Sequence, residues 1–496
     1  MSSLENIYDK YEPVIGLEIH AQMKTQTKAF CKCSTNFHNS PNSNVCPICL
    51  GMPGTLPVLN KELVDYAIRM GLATNCSIRE KSIFARKNYF YPDLTKGYQI
   101  TQFETPICYD GFINIKLKDK SEKKIGITRI HMEEDAGKSI HDFSDNETLV
   151  DFNRCGVPLI EIVSEPDIRS SEEAINYMQK IRQILVYLDI CDGNMEEGSL
   201  RCDANVSVRL KGAIEFGNRT EIKNLNSFKN VSDAIETEIK RQIEVTEKGE
   251  KVFFTTMTYN AKDKTTAATR SKEQAHDYRY FPEPDLVFTV VDKAMKDEIE
   301  SKLPEFPEAK LKRFVKDYSI PEYDAEILTS GKELSIYFEN VIKELKHKDE
   351  KGYKQASNWV MNEVLKVLND KKIGIEKFNI PEINLSKLID ILLDEKINKT
   401  VALEIFELML TKETREEQNP EHLIKELGLE QVSDTSEIDE IIKKILNESP
   451  KEVERYKGGE KKLAGLFVGK IMRESKGKAN PKIVNELLLK NLEQLN

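Results

Sequence analysis

The chain has 496 residues, 39% hydrophobic and 31% charged, with a formal net charge of -10. That length is too great for one hydrophobic core and predicts about two to four domains. The composition excludes a membrane protein, because no apolar run approaches the roughly 18 residues of a span, and the acidic balance leaves only local contact with any nucleic acid.

Met1 to Tyr11 are polar and acidic, without the basic start and apolar centre of a secretory signal, so a cytoplasmic protein with no membrane partner is expected. Nine cysteines suit that compartment as thiols or metal ligands rather than disulfides. The stretch Val14 to Met23 alternates, placing Ile15, Leu17, Ile19, Ala21 and Met23 on one face and Gly16, Glu18, His20 and Gln22 on the other. Side chains at i and i+2 of a strand stand about 6.5 to 7 Å apart at the backbone, so Glu18 and His20 can converge on one ion or phosphate.

Cys31 and Cys33, twelve residues, then Cys46 and Cys49 have the spacing of a tetrahedral zinc site fed by two tight turns. Four thiolates leave no open position, so a structural Zn²⁺ that clips the polar Ser34 to Asn44 loop is expected, with free thiols the alternative. Asn60 reads as the cap of a helix carrying Leu63, Ala67, Met70 and Leu72. Arg86 to Asp93, with Gly97, Tyr98, Gln99 and Gln102 after it, mixes basic, amide and aromatic groups that suit an anion beside a planar base, or else aromatics covering a core edge.

From Ile125 to Glu133 alternation returns and sets Ile125, Ile127, Arg129, His131 and Glu133 on one side. The following Gly137-Lys138-Ser139 imitates a phosphate loop, but the earlier glycine such a loop needs is Met132. Glu161 interrupts the apolar run Leu159 to Val163, so it needs a cation or donor unless the strand lies at a solvated edge. Ser170 and Glu173 form a capping box for a helix with Ile175, Met178, Ile181, Leu185 and Leu188 on its stripe. Leu200 to Arg209 is the cleanest strand, apolar at even positions and carrying Arg201, Asp203, Asn205, Ser207 and Arg209 on the outer face. Glu221 to Asn226, a helix ending at Gly249, the strand-like Val252 to Tyr259 and Asp277 to Pro282 complete the first domain.

Glu18, His20, Glu133, Glu161 and Asp203 thus come from polar sides of strands in one domain and are the candidate catalytic set. Such hard donors suit Mg²⁺ or Mn²⁺ and, through the metal, a nucleotide triphosphate. Arg86, Lys87, Arg201 and Lys223 are the candidate clamps for its phosphates. Short strands dominate this half, and beyond it prolines at 304, 307 and 321 separate amphipathic helices, with Trp359 expected in a core. The predicted class is α+β: a mainly antiparallel-sheet N-terminal catalytic domain over 1–290, an all-helical domain over 291–398 and a small helical tail domain over 399–496. Tyr456 to Lys482 holds eight Lys/Arg against two Glu. Its helix has Leu463, Leu466, Phe467 and Ile471 on one side and Lys462, Arg473 and Lys476 opposite, by default a solvated basic face.

Val14 to His20, Arg86 to Asp93, His131 to Lys138, Ile160 to Asp167, Met195 to Asn205 and Lys223 to Asn226 resemble, in order, the segments of the B subunits of the bacterial aspartyl/glutamyl-tRNA amidotransferases. The resemblance implies ATP-dependent phosphorylation of the side-chain carboxylate of Glu on mischarged tRNA-Gln, or of Asp on mischarged tRNA-Asn. Amidation by ammonia follows. It implies a metal site at Glu18, His20, Glu133 and Glu161 with Asp203 beside it, a zinc-bearing variant at Cys31, Cys33, Cys46 and Cys49, and a tRNA-gripping tail. No Gly-flanked Ser-Ser pair of the amidase type is present, Ser170-Ser171 being a helix cap. The ammonia source implied is therefore a separate glutaminase of the amidase type, joined through a third, small protein to make a heterotrimer. A metal-dependent nuclease or phosphatase acting on RNA, and a non-catalytic tRNA-binding scaffold, are the rival readings.

Overall fold

The computed structural model of the chain describes residues 7, 9–36, 39–140, 146–271, 275–429, 435–475, 479 and 481–494. It divides into two units, Met1–Pro304 and Glu305–Asn496. The first contains, in chain order, strands β1 (Tyr11–Gln22), β2 (Ser77–Ile78), β3 (Lys81–Ser82), β4 (Ala85–Asn88), β5 (Tyr98–Thr101), β6 (Cys108–Lys116) and β7 (Glu122–Glu134). There follow β8 (Lys138–Ile140), β9 (Leu149–Asp151), β10 (Pro158–Ser164), β11 (Leu200–Leu210), β12 (Thr220–Leu225), β13 (Thr255–Asn260) and β14 (Thr265–Ser271). Nine of these make one sheet in the order β14-β13-β12-β11-β1-β10-β7-β6-β2. Among the described residues only the β12/β13 pairing is parallel, so the antiparallel α+β expectation is met.

The apolar face of β1 is fully buried, Ile15, Leu17, Ile19, Ala21 and Met23 all being at most 3% exposed. Helices Lys61–Ala73, Ser171–Tyr187 and Phe228–Glu247 pack against strands of the sheet. Each starts on the side chain that a helix start needs: Asn60 accepts from the amide of Glu62, Ser170 from that of Glu173 and Ser227 from that of Asn230. Gly249 stops the third helix in the left-handed region, at φ +77°. In the second helix Tyr177 and Ile184 are buried as well, while Ile175 is only half-buried.

One expectation about β7 is corrected. Val163 pairs with Arg129 and Ser164 with Ile127, so Thr128 is an extra residue that shifts the register, and on β6 Asp110 stands opposite it at φ +50°. The bulge resets the alternation. Ile125, Ile127, Ile130 and Met132 all enter the core at 0–1% exposure. Arg129, His131 and Glu133 therefore do not share a face with Ile125 and Ile127 but turn to the opposite side. The imitation phosphate loop is no loop before a helix, since Lys138–Ile140 pairs with Leu149–Asp151.

The second unit is helical, and its described residues hold two apolar cores. One runs from Phe314 to Ile424 and includes Trp359, 3% exposed with its ring 5.6 Å from Phe406. The other gathers Ile438, Ile442, Phe467, Ile471, Val484 and Leu488. The expected 290/291 boundary lies inside the first unit, which runs to Pro304 and includes the helix Lys293–Ser301 packed on Lys61–Ala73. The expected 398/399 boundary falls within the first helical core, to which Val401, Ala402, Ile405, Phe406 and Met409 belong.

Candidate active site

Register assembles the site. His20 on β1 stands opposite Glu161 on β10, which stands opposite His131 on β7. Directly paired residues share a face, so three strands point donors at one spot. His20 Nε2 is 3.3 Å from Glu161 Oε2 and 3.7 Å from Glu133 Oε1, and His131 Nε2 is 3.4 Å from Glu161 Oε2. β10 is an interior strand, so the solvated-edge reading of Glu161 is overturned. Burial opposes a charge on either partner, yet His131 and His20 hold the Glu161 carboxyl well below the usual range. Burial would likewise lower the pKa of His20, but Glu161, then Glu133 and Asp203, push it up to about 9.

On the other side of β1, Glu18 stands opposite Asp203 of β11, and Glu221 of β12 completes a second group. Lys223 Nζ lies 2.5 Å from Asp203 Oδ2 and 3.3 Å from Glu221 Oε1, while Asn205 donates to Glu18 Oε1 at 2.9 Å. Within each group the donor atoms lie within 4.8 Å of one another. One ligand set of Glu18, His20, Glu133 and Glu161 was expected. The structure instead separates His20, Glu133 and Glu161 from Glu18, Asp203 and Glu221. Both sets fit a hard divalent cation by the chemistry of their donors, and in the second the Lys223 ammonium already sits where positive charge is called for.

Both groups line one pocket of about 1300 Å³, above the usual ~300–1000 Å³ of a small-ligand site. Tyr89, Phe90, Tyr91, Tyr278 and Tyr280 form much of its aromatic wall, Phe90 being 81% exposed. Tyr280 stacks on Phe103 with centroids 4.0 Å apart.

Of the four expected phosphate clamps, Lys87 and Lys223 line this pocket. Burial disfavours the Lys87 charge, but Tyr280, Glu133 and Glu161 raise its pKa well above the ordinary lysine value. Arg86 does not line the pocket. Its guanidinium makes a bidentate pair with Glu283 at 2.7 Å for each bond and reaches Asp285 at 3.2 Å, tying β4 to the segment that follows Phe281. Arg201 is likewise not in the lining and is held by Asp135 at 3.0 Å. Both guanidinium groups are neutralised away from the pocket, whereas the Lys223 ammonium, though paired, is part of its lining. Arg129 and Arg219 line the pocket instead, with no carboxylate within 4 Å among the described residues; Arg219 lies over the Phe254 ring at 5.4 Å. The signal for these two, and for His131 and Glu221, was present as strand period: Arg129, His131 and Glu133 are two apart, as are Arg219, Glu221 and Lys223.

The four thiols of Cys31, Cys33, Cys46 and Cys49 converge to within 4.8 Å, which suits a structural zinc. The Cys46 amide donates to Cys49 Sγ at 3.1 Å. In the tail, Lys462 and Arg473 are exposed, and Lys476 lies outside the described residues. Phe467 and Ile471 are buried as expected, but Leu466 is 44% exposed.

Fold and site together define an enzyme that handles charged, phosphate-bearing substrates on the polar face of an antiparallel sheet. Residues 13–297 match the GatB/GatE catalytic domain and residues 336–492 the GatB domain. The chain is 54% identical over 485 residues to the B subunit of the aspartyl/glutamyl-tRNA(Asn/Gln) amidotransferase of Thermodesulfovibrio yellowstonii, covering 98% of this chain and 100% of the relative. The proteins of the same description from Chlorobium phaeobacteroides and Syntrophotalea carbinolica are 52% and 51% identical, each over 97% of this chain and 99% of the relative. The chain belongs to the GatB family of tRNA-dependent amidotransferase proteins, as the sequence resemblance implied. No helix among the described residues is long and apolar enough to cross a membrane.

Proposed function

We propose that this chain is the carboxylate-activating component of a tRNA-dependent amidotransferase, working on Glu mischarged on tRNA-Gln, on Asp mischarged on tRNA-Asn, or on both. A side-chain carboxylate oxygen attacks the γ-phosphorus of ATP, the bond to the β,γ-bridging oxygen breaks, and ADP departs. Ammonia attacks the resulting acyl phosphate, loses a proton, and expels phosphate to leave Gln-tRNA or Asn-tRNA. The activation is needed because a carboxylate is a poor acyl donor until one oxygen becomes part of a leaving group.

The observation that carries this reading is a single sheet face where two carboxylate groups, Lys87 and Lys223 surround about 1300 Å³, room for a nucleotide and an aminoacylated end together. The relatives' shared description supports it. Lys87, Lys223, Arg129 and Arg219 hold phosphate oxygens, and Arg86 and Arg201 are positioning residues. Mg²⁺ or Mn²⁺ would be held by His20, Glu133 and Glu161 and by Glu18, Asp203 and Glu221, and when bound supplies neutralisation of phosphate charge. The chain works in the cytoplasm as one member of a heterotrimer, with an amidase-type glutaminase that releases ammonia and a small third protein that joins the two. Its tail module holds tRNA through Lys462, Arg473 and Lys476.

The test is γ-phosphate release from ATP by the complex, with Glu-tRNA-Gln and separately Asp-tRNA-Asn, for wild type and Glu133→Gln. Release that needs charged tRNA and is lost in the variant is expected, and the two tRNAs rank the substrates. Release indifferent to tRNA, or tRNA cleavage without ATP, overturns the reading in favour of a phosphatase or nuclease.

A further inference from the structure

Lys28 is completely buried, and among the described residues no carboxylate oxygen lies within 4 Å of its ammonium. Its neighbours are Cys49 Sγ at 3.7 Å and the carbonyl oxygen of Phe152 at 3.3 Å. A small cavity of about 100 Å³ beside it is also lined by Lys96 and Glu134, but those two charges pair with each other. Lys28 is therefore the buried positive charge left over. Such a charge is costly unless an anion meets it, and the nearest group able to carry negative charge is the cysteine tetrad. Zinc bound by four thiolates has a net charge of about -2, whereas four thiols have none.

We propose that the Lys28 ammonium is the counter-charge of a zinc tetrathiolate, and that it makes the zinc knuckle the anchor of the 152–156 loop. The inference rests on the zinc reading of the tetrad and not on the reaction. Three further bonds show what the anchor holds. The Cys155 thiol donates to the Cys49 carbonyl at 3.3 Å, the Gly156 amide donates to the Asp135 carbonyl at 2.8 Å, and Arg154 donates to the Ala136 carbonyl at 2.9 Å. The loop is thus clasped between the knuckle on one side and, on the other, the chain that leaves β7 directly after Glu133 and Glu134. Lys28 is a positioning residue for that loop.

The test uses the full chain purified within its complex and reads zinc directly. Wild type should hold about one zinc per chain and release it slowly to a colorimetric chelator. Lys28→Met keeps the length and removes the charge, and should release zinc about 10- to 100-fold faster, the usual range for loss of a group that supports the ligands. Lys28→Arg keeps the charge and should stay within a few-fold of wild type. Thermal unfolding adds a readout that packing alone would not move: stripping zinc should lower the Tm of wild type more than that of Lys28→Met, because only in wild type does it strand a buried ammonium. If Lys28→Met does not fold, Lys28→Gln replaces it. Wild type without zinc would sink the zinc reading itself. Zinc held equally well by wild type and Lys28→Met, or an equal Tm loss in both, would overturn the role of Lys28 while leaving the zinc reading standing.

Discussion

The cysteine tetrad and the carboxylate groups both bring donors together from separate parts of the first unit, but the means differ. The thiols sit in loops around one point that four soft ligands fill. The carboxylates and imidazoles stand on neighbouring strands, where pairing alone sets them side by side, and they face a pocket of about 1300 Å³. A closed soft site can contribute stability but can do no chemistry on a substrate. The open hard site pays for the opposite ability with buried charge, which Lys223, His20 and His131 balance in part.

The comparison breaks most sharply at Glu161. Glu161→Gln removes the carboxylate shared by His20 and His131, and tRNA-dependent phosphate release should fall about 10²- to 10³-fold, the loss typical of one preorganised charge at a reacting centre. The zinc content of the same variant should not change. Activity retained within a few-fold would remove Glu161 from the chemistry.

The next contrast separates cations spent inside the fold from those still available. Arg86→Met strands Glu283, whose side chain is fully buried, and should cost about 3 kcal/mol of stability in chemical denaturation while the KM for ATP stays near wild type. Arg219→Met should do the reverse, raising that KM about tenfold, or ~1.4 kcal/mol, with little change in unfolding midpoint. A KM effect at Arg86 equal to that at Arg219 would erase the distinction.

Much of this arrangement was readable from alternation. Glu18, His20, Glu161 and Asp203 lie on unbroken period-two strands, and all four reach the pocket. What alternation could not convey was the bulge at Thr128 and Asp110, because an extra residue leaves no mark in composition while it reverses every later side chain. For the same reason the division into two donor groups was hidden: it depends on which strands lie beside β1, and that order is a long-range fact. Arg86 misled because a basic residue in an aromatic loop looks alike whether it meets a phosphate or, 197 positions further on, a buried glutamate. The helix Lys399–Thr411 is open on similar grounds, since it is amphipathic and only its packing says which core it joins.

Not every buried carboxylate beside the sheet belongs to the open class, and Glu238 gives the finest test of where the line falls. Its side chain is fully buried on the helix Phe228–Glu247, bonded to Arg241, Gln242, Thr220 and Thr266. Burial opposes its charge, but those donors, Arg241 first, hold its pKa below the ordinary 4.5. A depressed folded-state pKa means that the stabilisation is complete above the unfolded value and is lost as pH falls through the folded one. Glu238→Gln should therefore cost about 1 kcal/mol near neutral pH, with the gap to wild type closing as pH drops below 4.5. Phosphate release at saturating substrates should be unaffected, since every partner of this carboxylate is part of the fold and none lines the pocket. A gap that persists unchanged at low pH would mean that the side chain contributes by shape rather than by charge, and the contrast between structural and reactive carboxylates would then rest on the pocket residues alone.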